Sequence, residues 1–431
     1  MKRLFASLSL APLLLAPGEA GADTLEDALT AAYRNNPNLE DARLAVRSAR
    51  EDSVQAFAGY LPSVGLTGSY GIRNVEVAST SIFGPTNTQH ELEPLTASLQ
   101  LQQQLYTGGR RDGQRDLARA SVEGARHGLR ATEQDVLLAA VDAYLSVRRD
   151  AEVLRLRREH VSGLERQLTG TQRRLEVGEV SRTDVAQTRT RLSGARAAAA
   201  RAEADLETSR ARYELVVGKA AETLAPVETP HAPGSLDEAV REAEERHPQI
   251  LRSVSARRAA RAQVEIERSA LRPQVSFVGR YDHFEDSSIE DDRSDGASAV
   301  AQLSLPLFEG GFARSRLRQG RINVRRAEAQ IEGQRREVVA NVVSAWNNLE
   351  AGRDVMQSAR EQVEAASQAV EGAERERGLG LRTTIDVLNA EEERRNAQIG
   401  LVSAEAEANF AAYALLAATG VLTIETLDVK E

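Results

Sequence analysis

The sequence predicts a mainly α-helical chain, internally duplicated, in which each copy sets a pair of membrane-type β-strands between long amphipathic helices. Three observations predict it. No proline occurs between Pro94 and Pro226 or after Pro306, and both stretches are rich in Ala, Arg, Glu, Leu and Gln, the strong helix formers. Motifs of the first half return in the second at constant spacing. Between the helical stretches, apolar and polar residues alternate with period two, the rhythm of a strand.

The chain of 431 residues opens on Lys2 and Arg3, followed by a mostly apolar run from Leu4 to Pro17 and by Ala20-Gly21-Ala22. That is the pattern of a signal peptide over residues 1–22, which makes Asp23 the expected mature start. Pro12 and Pro17 interrupt the apolar run, which is too short to span a bilayer comfortably. There is no cysteine, so the chain has no disulfide, no thiolate metal site and no N-terminal cysteine to lipidate. No later apolar run is long enough for a transmembrane helix, so any membrane-spanning part must be built from strands. The net charge of −9 is spread over 55 basic and 64 acidic residues, which argues against a nucleic-acid surface. Aromatic residues make up only 4%, as suits long, thin helices packed through Ala and Leu layers.

The first copy is read over residues 23–220. From Asp112 to Glu176 the composition is helical throughout, and a continuous helix of roughly 65 residues would be about 98 Å long. Such a helix needs lateral partners along its whole length, as in a coiled coil. Val136, Leu137, Ala140, Val141 and Tyr144 supply an amphipathic stripe. Strands are expected at about 62–72 and 97–106, and the long helix at about 111–176. Residues 221–234 form a linker. The second copy, 235–420, repeats the plan, with strands at about 273–283 and 298–307, a long helix at about 313–377 and a tail at 421–431. Thr24-Leu25, Ala28, Pro37 and Pro62 return as Ser235-Leu236, Ala239, Pro248 and Pro273, each 211 residues later. Past the strands the interval is 202: Gly108-Gly109, Tyr144, Gly178, Asp184 and Gly218 return as Gly310-Gly311, Trp346, Gly380, Asp386 and Gly420. The second copy therefore lacks nine residues between its strands, where a surface loop tolerates a change of length. The connections near Asn74 to Pro94 and His283 to Ser294 are polar and read as loops.

Leu99, Leu101, Gln103 and Leu105 alternate with Ser98, Gln100, Gln102 and Gln104, and Val275, Phe277, Val300, Leu303 and Leu305 continue the idea. About nine alternating residues is the length of a transmembrane β-strand. Soluble hairpins share that periodicity. If the strands do enter a membrane, four cannot close a barrel, and open edges are not tolerated in lipid. Several copies must then share one barrel.

The chain resembles the TolC family of outer-membrane channel proteins. The resemblance rests on Thr24-Leu25 with Ala28-Leu29, Asn35-Asn36-Pro37, Tyr60-Leu61-Pro62, Leu105-Tyr106 with Gly108-Gly109, Leu305-Pro306-Leu307-Phe308 with Gly310-Gly311, and Arg382-Thr383 with Asp386-Val387-Leu388-Asn389. It covers essentially the whole mature chain and implies a homotrimer. Each protomer would give four strands to a twelve-stranded barrel in the outer membrane of a Gram-negative cell, among outer-membrane lipid, and its helices would build a long periplasmic tunnel. The implied partners are a periplasmic adaptor (membrane fusion protein) and an inner-membrane ABC or RND transporter. The implied cargo is protein, by type I secretion, or drugs and other small molecules, by efflux.

The resemblance also assigns a tip. Asp386 matches a carboxylate of the tunnel constriction, and the family's next carboxylate, one turn on, is Asn389 here. Arg382 matches a latch arginine, with Thr183 and Asp184 in its usual partner region, and a latch tyrosine of the family falls at Arg377. Read from the residues alone, Asp184 and Asp386 suit helix capping equally well. Two other readings keep the helices: a periplasmic adaptor, and a coiled-coil structural protein of the envelope. The two strand pairs fit neither as well as a channel. An enzyme is least supported. His90, His127, His160, His231, His247 and His283 form no metal-ligand spacing, and no phosphate loop or nucleophile elbow is present. No cofactor is expected.

Overall fold

The computed structural model describes residues 22–230, 233–286 and 292–425. The expected signal peptide lies almost wholly outside the described residues, as do the end of the tail and the acidic Glu290-Asp291 pair.

Each half begins with a helix broken by proline. α1 (Leu25–Asn35) stops where Asn36 takes an extended conformation ahead of Pro37, and α2 (Pro37–Ala58) starts there. Proline disfavours a helical residue before it and is pre-organised for the first helical position. The Asn36 side chain accepts the Asn38 backbone N–H at 2.9 Å and donates to the Val216 carbonyl at 3.2 Å. In the second half, His247-Pro248 makes the same break between α5 (Leu236–Arg246) and α6 (Pro248–Ser269).

Four strands form one antiparallel sheet in the order β1 (Ser63–Tyr70), β4 (Leu95–Tyr106), β5 (Gln274–Glu285), β6 (Arg293–Ser304). The β4–β5 pairing joins the two halves. The register collects mostly one kind of residue on each face, although Gln103 lies opposite Phe277 and Val278 opposite Val300. Val64 lies opposite Leu101, Leu66 opposite Leu99, Leu99 opposite Tyr281, and Phe277 opposite Ala301. On the other face Gln100 lies opposite Arg280, Ser98 opposite Asp282, and Ser276 opposite Gln302. Arg280 donates to Gln100 at 3.0 Å and Ser98 to Asp282 at 2.5 Å. The result is a sheet with one largely apolar and one largely polar face, set by a period of two that is interrupted in β4 by a register shift between Gln104 and Tyr106.

The segment from Asn74 to Pro94 is not a loop. It forms a second hairpin, β2 (Arg73–Ser81) with β3 (Gly84–Leu92), closed at Gly84, whose φ is 112°. Its alternating Val75 and Val77 carry strand propensity, but polar neighbours mask it. Ile82 and Phe83 stand exposed at its turn.

Past the sheet, each half turns through a Gly-Gly corner into a helix of 67 residues, α3 (Arg110–Glu176) or α7 (Phe312–Gly378). Both glycines of each corner have positive φ, which a side chain would strain. A shorter helix then returns beside each: α4 (Arg182–Val217) and α8 (Thr384–Thr419). α2 and α4 lie against successive parts of α3, α8 packs against both α7 and α3, and α6 fills the space between α3 and α7. No helix among the described residues is long and apolar enough to cross a membrane.

Small residues let the helices approach. At the equator of the first half, Ala28, Leu29, Ala32 and Leu39 pack with Leu137, Ala140, Val141, Tyr144, Tyr213 and Val217. The second half has the counterpart Ala239, Ala243, Ile250, Val338, Val342, Ala412 and Leu415. The Tyr144 hydroxyl lies 2.8 Å from the Asp23 carbonyl and 2.9 Å from that of Ala225. It thereby ties the start of the chain and the linker to the core, and burial pushes its pKa up to about 12.

Candidate functional site: the helical tip

The residues singled out in the sequence gather at the end of the helical region farthest from the sheet. α3 and α4 are joined by a turn at Gly178, and α7 and α8 by one at Gly380, each glycine with φ 76°. Large apolar side chains stand in solvent at these turns: Val177 is 71% exposed, Leu379 76% and Leu381 74%.

Each returning helix starts with the same capping box. At α8, Asp386 accepts from the Thr383 backbone N–H at 3.0 Å and the Thr383 hydroxyl at 2.7 Å, while the Asp386 N–H donates back to that hydroxyl at 3.3 Å. At α4, Asp184 accepts from the Ser181 N–H at 2.9 Å and its hydroxyl at 2.8 Å. These bonds hold both carboxyls below the ordinary aspartate value. The Thr383 hydroxyl is the larger cause for Asp386, and the Ser181 backbone N–H for Asp184. Both aspartates therefore serve helix capping, as the N3 partners of the N-caps Ser181 and Thr383. One oxygen of each is engaged in the box, and both side chains remain anionic at neutral pH.

Arg382 donates through Nε to Glu376 at 2.6 Å, bracing its own turn. Within one chain the structure does not bring it to Thr183 or Asp184, and Thr183 is exposed in the first turn of α4. A polar contact that local sequence pattern does not reveal crosses between the hairpins. Arg191 of α4 donates from Nη2 to Asn389 Oδ1 at 2.6 Å and from Nη1 to Glu392 Oε2 at 2.8 Å, both on α8. The one available signal was a difference between the copies: the position equivalent to Arg191 in the second copy is Glu393. Below this clamp, Leu164, Leu192, Ala195 and Leu388 close a small apolar layer. Among the described residues no group of His, Asp and Glu is arranged to hold a metal ion.

A two-faced sheet and a duplicated set of helices, the longest of each half about 100 Å at 1.5 Å per residue, define a channel-forming envelope protein. The outer membrane efflux protein family model matches residues 28–219 and 239–421, one match for each half. Over 433 aligned residues, all of this chain and 92% of the relative, the sequence is 34% identical to the outer membrane efflux protein BepC of Brucella suis. It is 25% identical to the alkaline protease secretion protein AprF of Pseudomonas aeruginosa, covering 91% of this chain and 83% of AprF. In fold it is similar to the CmeC outer membrane channel of Campylobacter jejuni, with a TM-score of 0.80 at 16% identity, covering 92% of this chain and 85% of CmeC. The chain belongs to the outer membrane efflux protein family, the TolC-type outer-membrane channels, which transport and do not catalyse. It is an outer-membrane channel of efflux and secretion, with a long periplasmic helical region.

Proposed function

We propose that three copies of this chain close one twelve-stranded barrel and one helical tunnel, through which an inner-membrane transporter, coupled by a periplasmic adaptor, drives export. The observation that carries this reading is the unequal flanking of two equivalent helices. α3 lies between α2 and α6, whereas α7 has α6 on one side and, among the described residues, no α2-like helix on the other. The sheet ends likewise on the open edges of β1 and β6. Both incomplete flanks carry exposed apolar side chains, Val54, Phe57 and Leu61 on one and Leu307, Phe308, Phe312 and Ile322 on the other. A neighbour's α2 against α7, and its β1 against β6, completes both at once. Two copies would give eight strands, whose interior is filled by side chains; twelve leave room for a lumen. The polar sheet face then lines the passage and the apolar face meets lipid.

Symmetry brings three copies of Asp386 together at the tip, a negative focus that favours cations. Exposed Val177, Leu379 and Leu381 offer the adaptor an apolar landing. The efflux name of the 34% identical relative favours small molecules as cargo, while the name of AprF supports protein export as a second reading. The test is membrane fractionation followed by mass measurement in mild detergent. A trimer from the outer membrane is expected; a soluble monomer overturns the reading.

A further inference from the structure

A cavity of about 300 Å³ opens between α3, α4 and α8, just inside the tip clamp. Its lining is unusual in charge: Arg157 and His160 from α3, Arg191 from α4 and Arg395 from α8 converge on it, with Glu392 as the one carboxylate. Glu392 is already engaged by Arg191 at 2.8 Å. Arg157 and Arg395 form no ion pair among the described residues, and Arg395 Nε is buried without a hydrogen-bond partner. Glu159 and Glu391 attract Arg395 from outside the cavity, but Glu159 is held by Arg155.

The surroundings register the excess of positive charge. His160 is pushed down to about 4 by burial and by the combined field of Arg395, Arg157 and Arg191. It stands neutral, able to donate one N–H. Burial is also the main cause lowering the pKa of Arg395, with Glu391 as the largest opposing influence though not in ion-pair contact, and Arg394 and Arg157 adding to the lowering. Half-buried cations without a directly bonded partner are costly unless an anion supplies the missing hydrogen bonds.

We propose that this cavity is a binding site for a small oxyanion of the phosphate class, held by Arg157 and Arg395 with His160 and Arg191 beside it. Guanidinium forks match the oxygens of such an anion in pairs. An anion bound there joins three helices from both hairpins and stiffens the tip. Nothing in the site requires a second chain, so the proposal stands apart from the trimer reading.

Isothermal titration of inorganic phosphate into the detergent-solubilised full chain, at constant ionic strength, tests it. Saturable binding is expected, with a rise in the thermal midpoint of the helical signal. Arg157→Gln and Arg395→Gln should each weaken binding roughly tenfold or more, since each removes charged hydrogen bonds. Arg395→Lys should weaken it less, and Arg158→Gln, whose guanidinium faces Glu203 at 2.8 Å, should leave it unchanged. If a glutamine variant loses its helical signal, the lysine variant and the wild-type midpoint carry the test. Absence of saturable heat, an equal effect of chloride, or full affinity in both folded glutamine variants overturns the proposal.

Discussion

The two halves of the chain are built to one plan but stand in different surroundings. In the first, the corner glycine Gly108 is packed: a Cβ there would lie 2.8 Å from Arg272 Cβ and 2.9 Å from the Ser269 carbonyl. Its counterpart Gly310 has nearly the same backbone, φ 60° against 64°, yet nothing lies within 4 Å of the added atom. The first half meets the second through α6 and β5. The second meets nothing of the kind. Duplication supplies two equivalent interfaces and satisfies only one of them inside the chain. In the proposed trimer the other is left for a neighbouring copy.

Substitution at the two corners breaks or sharpens that comparison with the largest expected effect. Gly108→Val places a side chain at positive φ, costing roughly 1–3 kcal/mol, and forces an overlap worth about 1–3 kcal/mol more. It should lower the unfolding midpoint of helical circular dichroism markedly. Gly310→Val should carry only the backbone strain within the chain. If a neighbour's α2–β1 junction fills that space, its main defect appears as loss of the trimer mass in detergent. A Gly310→Val chain that assembles normally would remove the corner from the interface.

The equatorial cores differ next. Tyr144 and Tyr213 are both fully buried in the first half, but only Tyr144 has partners for its hydroxyl. Tyr144→Phe should cost about 1 kcal/mol, the net value of a hydrogen bond, and free the start of the chain and the linker to proteolysis. Tyr213→Phe removes a buried hydroxyl without a partner and should leave the midpoint equal or higher. Trp346, at the Tyr144 position of the second half, is only partly buried, at the margin of its core. The tether is thus a property of one half alone.

At the tip, two arginines of α4 separate the roles of contacts within and between hairpins. Arg196 pairs with Glu165 at 2.7 Å inside the first hairpin, whereas Arg191 reaches Asn389 and Glu392 of the second. Arg191→Ala should raise the single-channel conductance of the isolated protein, because the hairpins part more readily. Arg196→Ala should not. Neither should shift the thermal midpoint by more than about 1 kcal/mol equivalent, the usual limit for exposed pairs.

This division marks what could be read in the sequence. The long helices follow from residues that favour helix over dozens of positions, the corners from paired glycines, and the sheet faces from alternation. Asp184 and Asp386 sit three residues after Ser181 and Thr383, so their capping was open to local pattern. The hairpin at Arg73–Leu92 was hidden because polar residues dominate its strands. Arg191 was hidden for another reason. Its partners lie on α8, near two hundred positions away, and only packing identifies which of 55 basic residues faces a carboxylate. The same holds for Arg157 and Arg395, whose interest lies in the partners they lack.

The smallest difference is the most informative about conduction. Asp184 and Asp386 make equivalent capping boxes, so alanine at either should weaken its helix start slightly, with indistinguishable shifts in midpoint. Their pH dependence should match as well. Both carboxyls are lowered in the fold from an ordinary value of 3.8. The caps are therefore fully stabilising above that value and lose their contribution as pH falls through the lowered one. Conduction is where the two should part. If Asp386 rings the constriction, Asp386→Ala lowers cation preference in single-channel recordings while Asp184→Ala leaves it nearly unchanged. Equal selectivity in both variants would reduce Asp386 to a cap. The charge focus would then have to be sought elsewhere along the tunnel.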